Sequence, residues 1–510
     1  MGHTQRSGLA FAIKEKVKDK AAYRKITETL KKQRQGVTVA DIAGQTALPL
    51  ATIRELVPLA ADEYAGRLQV TESGEILYSF PQGFKSKYRG FRSILRRGAE
   101  KVLKGLKIVG AQVFKVWIMV MLVGYFLLFM LIALAALAIS VASSSSSSDN
   151  RSEGRGGGGL FLAGSIFDLI MRIWFYSELT KAVDRSFNGE YYTGRNARPK
   201  GKPLYKAIFS FVFGDGDPNG NWAVKEKQAV IAYIQANRGV ISLPEYMVLT
   251  GGTPQEAEEG LKTCCVEFGG MPEVTDEGTL VYRFDDLLRR ADRRDRSFGG
   301  AAPLKRLKTF SSNPQKLNVW FSIINGVNLI FGGYFLFNAL ATGPITTQAQ
   351  FDAASYLYKV TYALSGAVLP NPLPFVLVGL GLVPLTFSLL FWGIPALRAL
   401  LTKQENEALK LANLRKIGYG AMWDQPQGIS AAAIQVDRPE CQPKNLNGAQ
   451  NQIIKEMGSY AIPEVTLDSG GNPVYAFPDL AREKHAVNQY RGTIKSEASS
   501  LGETVFDSNA

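Results

Sequence analysis

The chain has 510 residues, a hydrophobic content of 46% and a formal net charge of +14. Its three cysteines and two histidines show no CxxC or HExxH spacing, which excludes an iron–sulfur cluster held by four thiolates, or a structural zinc site, within one chain. The basic residues crowd beside apolar blocks, so the charge favours anionic lipid headgroups over nucleic acid as the partner. We expect a multi-pass membrane protein that is not an enzyme and holds no tightly bound cofactor.

The N-terminal region predicts a basic arm at 1–22 and a folded module at 23–84. The module begins with a helix from Tyr23 to Leu30, and a helix–turn–helix pattern then continues to Leu59. Two alternating runs follow around a turn at Ser73-Gly74, which is typical of a β-hairpin. Three helices followed by a hairpin predict a winged-helix module.

A basic juxtamembrane segment at 85–107 precedes a long apolar stretch at 108–142. That stretch contains one charged side chain, Lys115, and about 20 apolar residues suffice to cross a bilayer as a helix, so it predicts a first transmembrane span. By the positive-inside rule, the basic segment places the N-terminus in the cytoplasm. Its side chains facing the lipid surface are Lys85, Lys87, Arg89, Arg92, Arg96, Arg97, Lys101, Lys104 and Lys107.

A serine- and glycine-rich linker at 143–159 leads to a shorter apolar stretch at 160–176. This stretch contains Asp168 and Arg172, which lie four residues apart and therefore on one helical face. Two interpretations stay open: a second span with an internal ion pair, or a helix in the membrane interface. The basic connector at 177–225 favours a return to the cytoplasm and hence a span.

The connector ends in an Asp-rich turn whose spacing matches a calcium-binding loop. Gly220 would provide the sharp turn, and the ligands would be Asp215, Asp217, Asn219, the carbonyl of Asn221, and Glu226. The competing interpretation, which we favour, is a turn whose carboxylates accept backbone N–H bonds at the start of a helix.

The helix-and-hairpin pattern recurs at 226–288 and at 405–480, which makes three modules. All three hairpins share Val-Thr, a glycine turn, and an ending of aromatic-x-Phe, as in Tyr282-Arg-Phe284 and Tyr475-Ala-Phe477. The repetition predicts three copies of one module.

A second pair of apolar stretches separates the last two modules. A basic linker at 289–316 precedes a span at 317–341, an external loop follows at 342–372, and a last span covers 373–397; residues 481–510 form a tail. The predicted fold is an α+β membrane protein with about four transmembrane helices in two hairpins. Its three winged-helix-like modules lie on the cytoplasmic side.

The helices that would enter a DNA groove carry excess negative charge in two modules. In the second module this helix holds Glu256, Glu258, Glu259 and Glu267 against Lys262. Because phosphates would repel it, nucleic acid is a poor partner and protein interaction is favoured.

The stretch Phe209-Ser-Phe-Val-Phe-Gly-Asp-Gly-Asp-Pro-Asn219, together with the hairpins, resembles a family of poorly characterised membrane proteins from cyanobacteria and chloroplasts. The resemblance covers about Tyr23 to Leu480 and implies residence in a cytoplasmic or thylakoid membrane. Members are often labelled iron–sulfur cluster biosynthesis proteins, but this chain offers no ligand set for a cluster.

Three functions remain open at this point. The leading one is a membrane scaffold or assembly factor that presents its modules to a protein complex, with photosynthetic complexes implied by the resemblance. A transporter or channel for ions or small solutes is the alternative, because Asp168, Arg172 and several asparagines lie in apolar stretches. A membrane-tethered DNA-binding regulator is the third.

Overall fold

The computed structural model describes residues 19–33, 36–81, 83–84, 109–145, 202–291, 302–494 and 500–508. The chain divides into two compact units. The module unit comprises 1–98, 217–308 and 404–510, and the span unit comprises 99–216 and 309–403. Three helices in the described ranges are long and apolar enough to cross a membrane, which suggests membrane association.

The three candidate spans are α4 (Val109–Val141), α9 (Gln315–Thr342) and α12 (Pro372–Asp424). A shorter apolar helix, α5 (Leu204–Phe213), also belongs to the span unit. The loop between α9 and α12 contains α10 (Gln348–Ala353) and α11 (Tyr356–Gly366). The predicted span at 160–176 lies outside the described residues, so three of the four predicted spans are seen.

Glycines allow the helices of the span unit to approach closely. An ideal Cβ on Gly332 would lie 2.9 Å from the backbone of Leu385, and one on Gly381 would lie 2.9 Å from the backbone of Leu336. Small residues at such crossings permit helix packing in membranes, where the hydrophobic effect gives no driving force. Both α4 and α12 include π-helical stretches, Val120–Gly124 and Phe375–Leu382.

The first module of the module unit consists of α1 (Lys20–Leu30), α2 (Val39–Thr46) and α3 (Leu50–Glu63), followed by β1 (Arg67–Thr71) and β2 (Ile76–Ser79). Thr38 and Asp41 form a capping box that starts α2. The hairpin pairs Leu68 with Tyr78 and has its turn at the predicted Ser73-Gly74.

The second module repeats this order with α6 (Trp222–Ala236), β3 (Val240–Ile241), α7 (Leu243–Thr250), α8 (Pro254–Phe268), β4 (Met271–Val274) and β5 (Leu280–Arg283). A capping box begins α8 at Thr253, and the Ser242 amide donates to the Glu245 carboxylate at 3.0 Å at the start of α7. The strand order β3-β5-β4 leaves β4 at an edge of the sheet.

The third module takes its first helix from the C-terminal part of α12, within 404–424. It continues with β6 (Ile429–Ser430), α13 (Leu446–Gly458), β7 (Glu464–Leu467) and β8 (Pro473–Ala476). Short 3₁₀ turns at Ala431–Ala433 and Pro439–Cys441 stand where the other modules have a second helix. The strand order is β6-β8-β7, so β7 is an edge strand.

The C-terminal segment, predicted as a tail from 481, contains α14 (Pro478–Thr493) and β9 (Thr504–Asp507). Strand β9 pairs antiparallel with β1 and gives the first module the order β2-β1-β9. One continuous core joins the three modules, with Ile53, Phe284 and Phe477 among its fully buried side chains. The modules therefore fold as one body and not as beads on a linker.

Candidate functional site

Asp215, the first residue of the predicted calcium loop, follows the C-terminal end of α5 and is bonded to three protein groups. Its Oδ2 accepts hydrogen bonds from the Ser210 hydroxyl at 2.8 Å and from the Ser312 amide at 2.6 Å, and its Oδ1 pairs with Lys202. Burial opposes the charge of this carboxylate, but the bonds from Lys202, Ser312 and Ser210 outweigh it and hold the pKa of Asp215 well below its usual value. Asp215 is therefore an ionised structural anchor within the span unit.

Gly214 is required because a guanidinium packs against the turn after α5. The residue has φ +82° and a Cβ there would overlap Nη1 of Arg398. Arg398 donates at 2.7 Å to the carbonyls of Phe211 and Phe310, and its guanidinium lies 4.4 Å from the Phe310 ring centroid. Arg398 thus caps the C-terminus of α5, where a cation is favoured.

The remaining predicted ligands have other partners, within the module unit. Asp217 accepts from the amide of Asn219 at 2.9 Å, which is an Asx turn. The Asn219 side chain bonds both backbone groups of Arg306, at 2.7 and 3.0 Å. Asn221 precedes α6, and its carbonyl accepts from the amide of Lys225 at 3.2 Å.

Glu226 faces Trp222 and a buried lysine. Its Oε1 accepts from Trp222 Nε1 at 3.0 Å and from Lys416 Nζ at 3.4 Å. The described residues contain no group of three or more His, Cys, Asp or Glu side chains placed to hold a metal ion. These contacts favour the turn interpretation, and the calcium loop stays a prediction for metal titration to test.

Lys416 is a buried cation that sequence reasoning missed. Its side chain is 1% exposed, donates to the Pro303 carbonyl at 3.1 Å, and lies 4.8 Å from the Trp222 ring centroid. The combination of a carboxylate, a carbonyl and an aromatic face compensates a buried ammonium. No local pattern around Lys416 signals this role, because all three partners are distant in sequence.

Asparagines of α12 hold the predicted basic linker in an extended form. Asn413 bonds the amide and carbonyl of Lys305 at 2.9 and 2.8 Å, and Asn406 does the same for Lys308 at 2.9 and 2.8 Å. Each asparagine side chain bonds both the N–H and the C=O of one linker residue, as the backbone of a neighbouring strand would. Residues 302–308 of the predicted linker at 289–316 are therefore held as part of the module unit.

An acidic cavity of about 570 Å³ lies between the second and third modules. Its acidic walls are Glu258, Glu277, Asp479 and Glu483, beside Tyr282 and Tyr460. Burial raises the pKa of Glu483 to about 7, although a hydrogen bond from Tyr460 at 2.9 Å opposes the shift. Glu258 pairs with Lys262 and Glu277 with His485, at 2.7 and 3.3 Å.

A small polar cluster lies inside the span unit. Asn325 donates to the Ser388 carbonyl at 3.0 Å, and Asn328 donates to the Leu122 carbonyl of the π-helical stretch at 2.8 Å. Both asparagines are fully buried, and their Oδ1 atoms and the Ser388 hydroxyl have no protein partner. Such groups are costly in an apolar surrounding.

The predicted ion pair Asp168–Arg172 and the basic residues from Lys85 to Lys107 lie outside the described residues. The sequence predictions for both sets therefore remain as stated.

Large apolar side chains stand exposed on the hairpins of the second and third modules. The exposed fractions are 68% for Met271, 78% for Ile462, 57% for Val465 and 71% for Leu467. These residues belong to or precede β4 and β7, the edge strands of their sheets. Ile462, Val465 and Leu467 lie on or beside one strand, β7, and such a group of exposed apolar residues is typical of protein-interaction surfaces.

The chain is similar to an uncharacterised chloroplastic protein of Arabidopsis thaliana, with 28% identity over 264 residues. The aligned region covers 50% of this chain and 47% of the plant protein, so the chain matches about half the length of that relative. No family model matches the chain. No solved structure matches it with significance. The similarity supports a relationship to uncharacterised proteins of the plant chloroplast type.

Proposed function

We propose that this protein is a non-enzymatic membrane scaffold or assembly factor whose three modules, each of winged-helix type, bind protein partners. The observation that carries the proposal is the group of exposed apolar side chains on the hairpins, Met271, Ile462, Val465 and Leu467. The modules share one core, so the surfaces they present are held in a fixed arrangement. A fixed arrangement suits a scaffold that holds several partner surfaces at once.

The proposed location is a thylakoid or cytoplasmic membrane, with both termini and all modules on the stromal or cytoplasmic side. The chloroplastic relative supports the compartment, and the basic residues beside the apolar stretches support the orientation. Anionic lipids are the proposed partner of the basic segment at 85–107. Photosynthetic membrane complexes are the proposed clients.

Nucleic acid is not proposed as a partner. Helix α8 would be the groove-binding helix of a winged module, and it displays Glu256, Glu258 and Glu259.

The test is purification of the tagged full chain from its native membranes in mild detergent, with the mass of the complex measured for wild type and for a triple variant. The variant changes Met271, Ile462 and Leu467 to serine, which removes exposed apolar area without touching the core. We expect a complex of defined stoichiometry for the wild type and its loss in the variant, with unchanged melting temperature. A control that changes Glu258 to alanine keeps the complex. A wild-type chain that runs alone in every preparation overturns the proposal.

The buried polar cluster favours a second candidate, transport of an ion or small solute. Asn325 Oδ1, Asn328 Oδ1 and the Ser388 hydroxyl are buried in the span unit without a protein partner, as groups lining a polar path would be. Reconstituted liposomes discriminate the two functions. A solute or ion flux that falls in Asn325→Leu and Asn328→Leu supports transport, and flux equal to that of empty liposomes supports the scaffold.

A further inference from the structure

We infer that the outer edge of β7 (Glu464–Leu467) binds an extended segment of a partner protein as an added antiparallel strand. This inference rests on the proposed scaffold function and specifies how one module holds its client. Strand addition to a sheet edge is a common mode of peptide recognition, because backbone hydrogen bonds give affinity and alternate side chains give specificity.

The first module shows that this kind of sheet edge accepts a strand. Strand β9 lies along the outer edge of β1, where the Ser508 amide donates to the Leu68 carbonyl at 2.9 Å. The Glu72 amide donates to the Glu503 carbonyl at 2.9 Å. Residues 68, 70 and 72 therefore direct their backbone groups away from β2, since these groups alternate along a strand.

The turns give the equivalent positions in the other two modules. The amides of Thr71, Thr275 and Asp468 each donate across their hairpin, to Glu75, Thr279 and Asn472. Counting back from these residues, Leu68 and Val70 correspond to Pro272 and Val274 in β4, and to Val465 and Leu467 in β7. The strand pairing supports this alignment, because a tyrosine lies opposite the equivalent residue in each hairpin. The pairs are Leu68 with Tyr78, Pro272 with Tyr282, and Val465 with Tyr475.

A proline removes an outward N–H group from the edge of β4, whereas β7 keeps its outward N–H groups. Pro272 has no N–H to offer at an outward position, and proline on an edge strand is a common defence against unwanted pairing. The Pro-Glu-Val-Thr sequence recurs in the third module, but the hairpin there is shifted by two residues. Pro463 consequently falls before β7, and Val465 and Leu467 keep their outward N–H groups.

The chemistry of the edge specifies the occupant. Every residue of β7 is exposed, Val465 and Leu467 present apolar side chains, and Glu464 and Asp468 flank them. The occupant is therefore an extended client segment with apolar residues at alternate positions and a lysine or arginine near each end. In the described residues β8 is the strand that pairs with β7, so its other edge is open.

The test uses the full chain in detergent and a fluorescent peptide as the probe. The peptide copies residues 500–508, the segment that already adds to β1, with Glu503→Lys and Asp507→Lys to complement the acidic flanks. We expect saturable binding, together with slower amide exchange at Val465 and Leu467. The variant Val465→Pro removes one outward N–H that the β7–β8 ladder does not use, and it should bind about tenfold more weakly.

Two further variants keep the test independent of folding. Val465→Thr retains the N–H and should bind within about twofold of wild type. Pro272→Val restores an outward N–H to β4 and should create a second, weaker binding site, because Met271 and Thr275 stand where β7 has Glu464 and Asp468. This gain cannot arise from a misfolded chain.

Three results overturn the inference. The first is equal peptide binding by wild type and Val465→Pro, and the second is exchange protection confined to β1, which would mean replacement of β9. The third is a concentration-dependent dimer that Val465→Pro abolishes without any peptide binding, which would assign the edge to a second copy.

If the native complex persists in Val465→Pro but disappears in the triple serine variant, the scaffold function stands and strand addition at β7 fails. If no native complex exists, the peptide assay still decides the property of the edge.

Discussion

Arg491 and Glu245 form a two-point ion pair although 246 positions separate them in the sequence, with Nη–Oε distances of 2.8 and 2.7 Å. The two side chains are 12% and 2% exposed. Arg491 also donates to the Val240 carbonyl at 2.9 Å, and Tyr233 donates to Glu245 at 2.7 Å. The pair joins α14 to the second module at Glu245, which also accepts from the Ser242 amide at the start of α7.

Replacing Arg491 by methionine should destabilise the module unit by about 3–5 kcal/mol, because it leaves the buried Glu245 carboxylate without its cation. The matched control on the same helix is Arg482→Met, whose side chain is 79% exposed and pairs with Asp479. Thermal and denaturant unfolding of the full chain measures both changes. Equal small losses for the two variants would contradict the role assigned to Arg491.

The stability of the module unit should fall as the pH rises from about 4.5 to about 7, because burial raises the pKa of Glu483 from 4.5 to about 7. The folded state binds the proton more tightly in that window, so unfolding becomes easier as the proton is lost, and the effect levels off above it. Glu483→Gln should remove this dependence and raise stability at pH 8 by about 1–3 kcal/mol. Glu258→Gln, on the same cavity wall, serves as the control and should keep the wild-type profile.

Two glycines of the loop after α5 should respond differently to alanine. Gly214 and Gly216 both have positive φ, +82° and +93°, but only at Gly214 would a Cβ collide, with the Arg398 guanidinium. We expect a cost of about 1–2 kcal/mol for Gly216→Ala from the left-handed backbone. Gly214→Ala should cost roughly 2 kcal/mol more, because Arg398 loses charged hydrogen bonds to carbonyls. Thermal unfolding in detergent compares them, and equal losses would show that Arg398 moves aside freely.

Millimolar calcium should not shift the melting temperature of the wild type, because Glu226 and Asn219 already accept or share bonds with protein groups. From the sequence alone, Glu226→Gln would have a small effect. The contact with Lys416 changes that expectation to a loss of about 1–3 kcal/mol, since a buried ammonium loses its carboxylate. Adding Lys416→Met to Glu226→Gln should recover part of the loss. Calcium stabilisation that is present in the wild type and absent in Glu226→Gln would restore the metal-site interpretation.

The proposed topology predicts the side from which cysteine labels react. Labels at Ser146 and Gly343 should be reached from outside, and labels in the hairpins near Ser73, Gly278 and Gly470 from the cytoplasmic or stromal side. The background chain needs Cys264, Cys265 and Cys441 replaced first. A hairpin label that reacts from outside would contradict the four-span topology.

The hairpins were predictable from sequence because their information is local. Alternation and a glycine turn mark β1–β2, β4–β5 and β7–β8, and each pair forms at the expected place. The three apolar spans in the described ranges were equally predictable, since composition and length suffice.

What the sequence could not reveal depends on distant partners. Strand β9 has four residues and becomes a strand only because it meets β1, more than 400 positions away. In the sequence, Lys416 looks like any other basic residue of a charged helix. Its partners, Glu226, Pro303 and Trp222, come close only in the folded chain. Asp215 fits a calcium-ligand pattern in the sequence, yet its described contacts are to Lys202, Ser210 and Ser312.

The pairing of β9 with β1 also governs how the protein matures on the ribosome. The module unit draws on three separate chain segments, 1–98, 217–308 and 404–510. At typical elongation rates of about 5–20 residues per second, the edge of β1 waits roughly 20–90 seconds for residues 504–507 to be synthesised. During that interval the outer edge of β1 has no strand beside it in the nascent first module. Because an unpaired strand edge can pair with other chains, this interval is when the nascent chain is most open to such contacts.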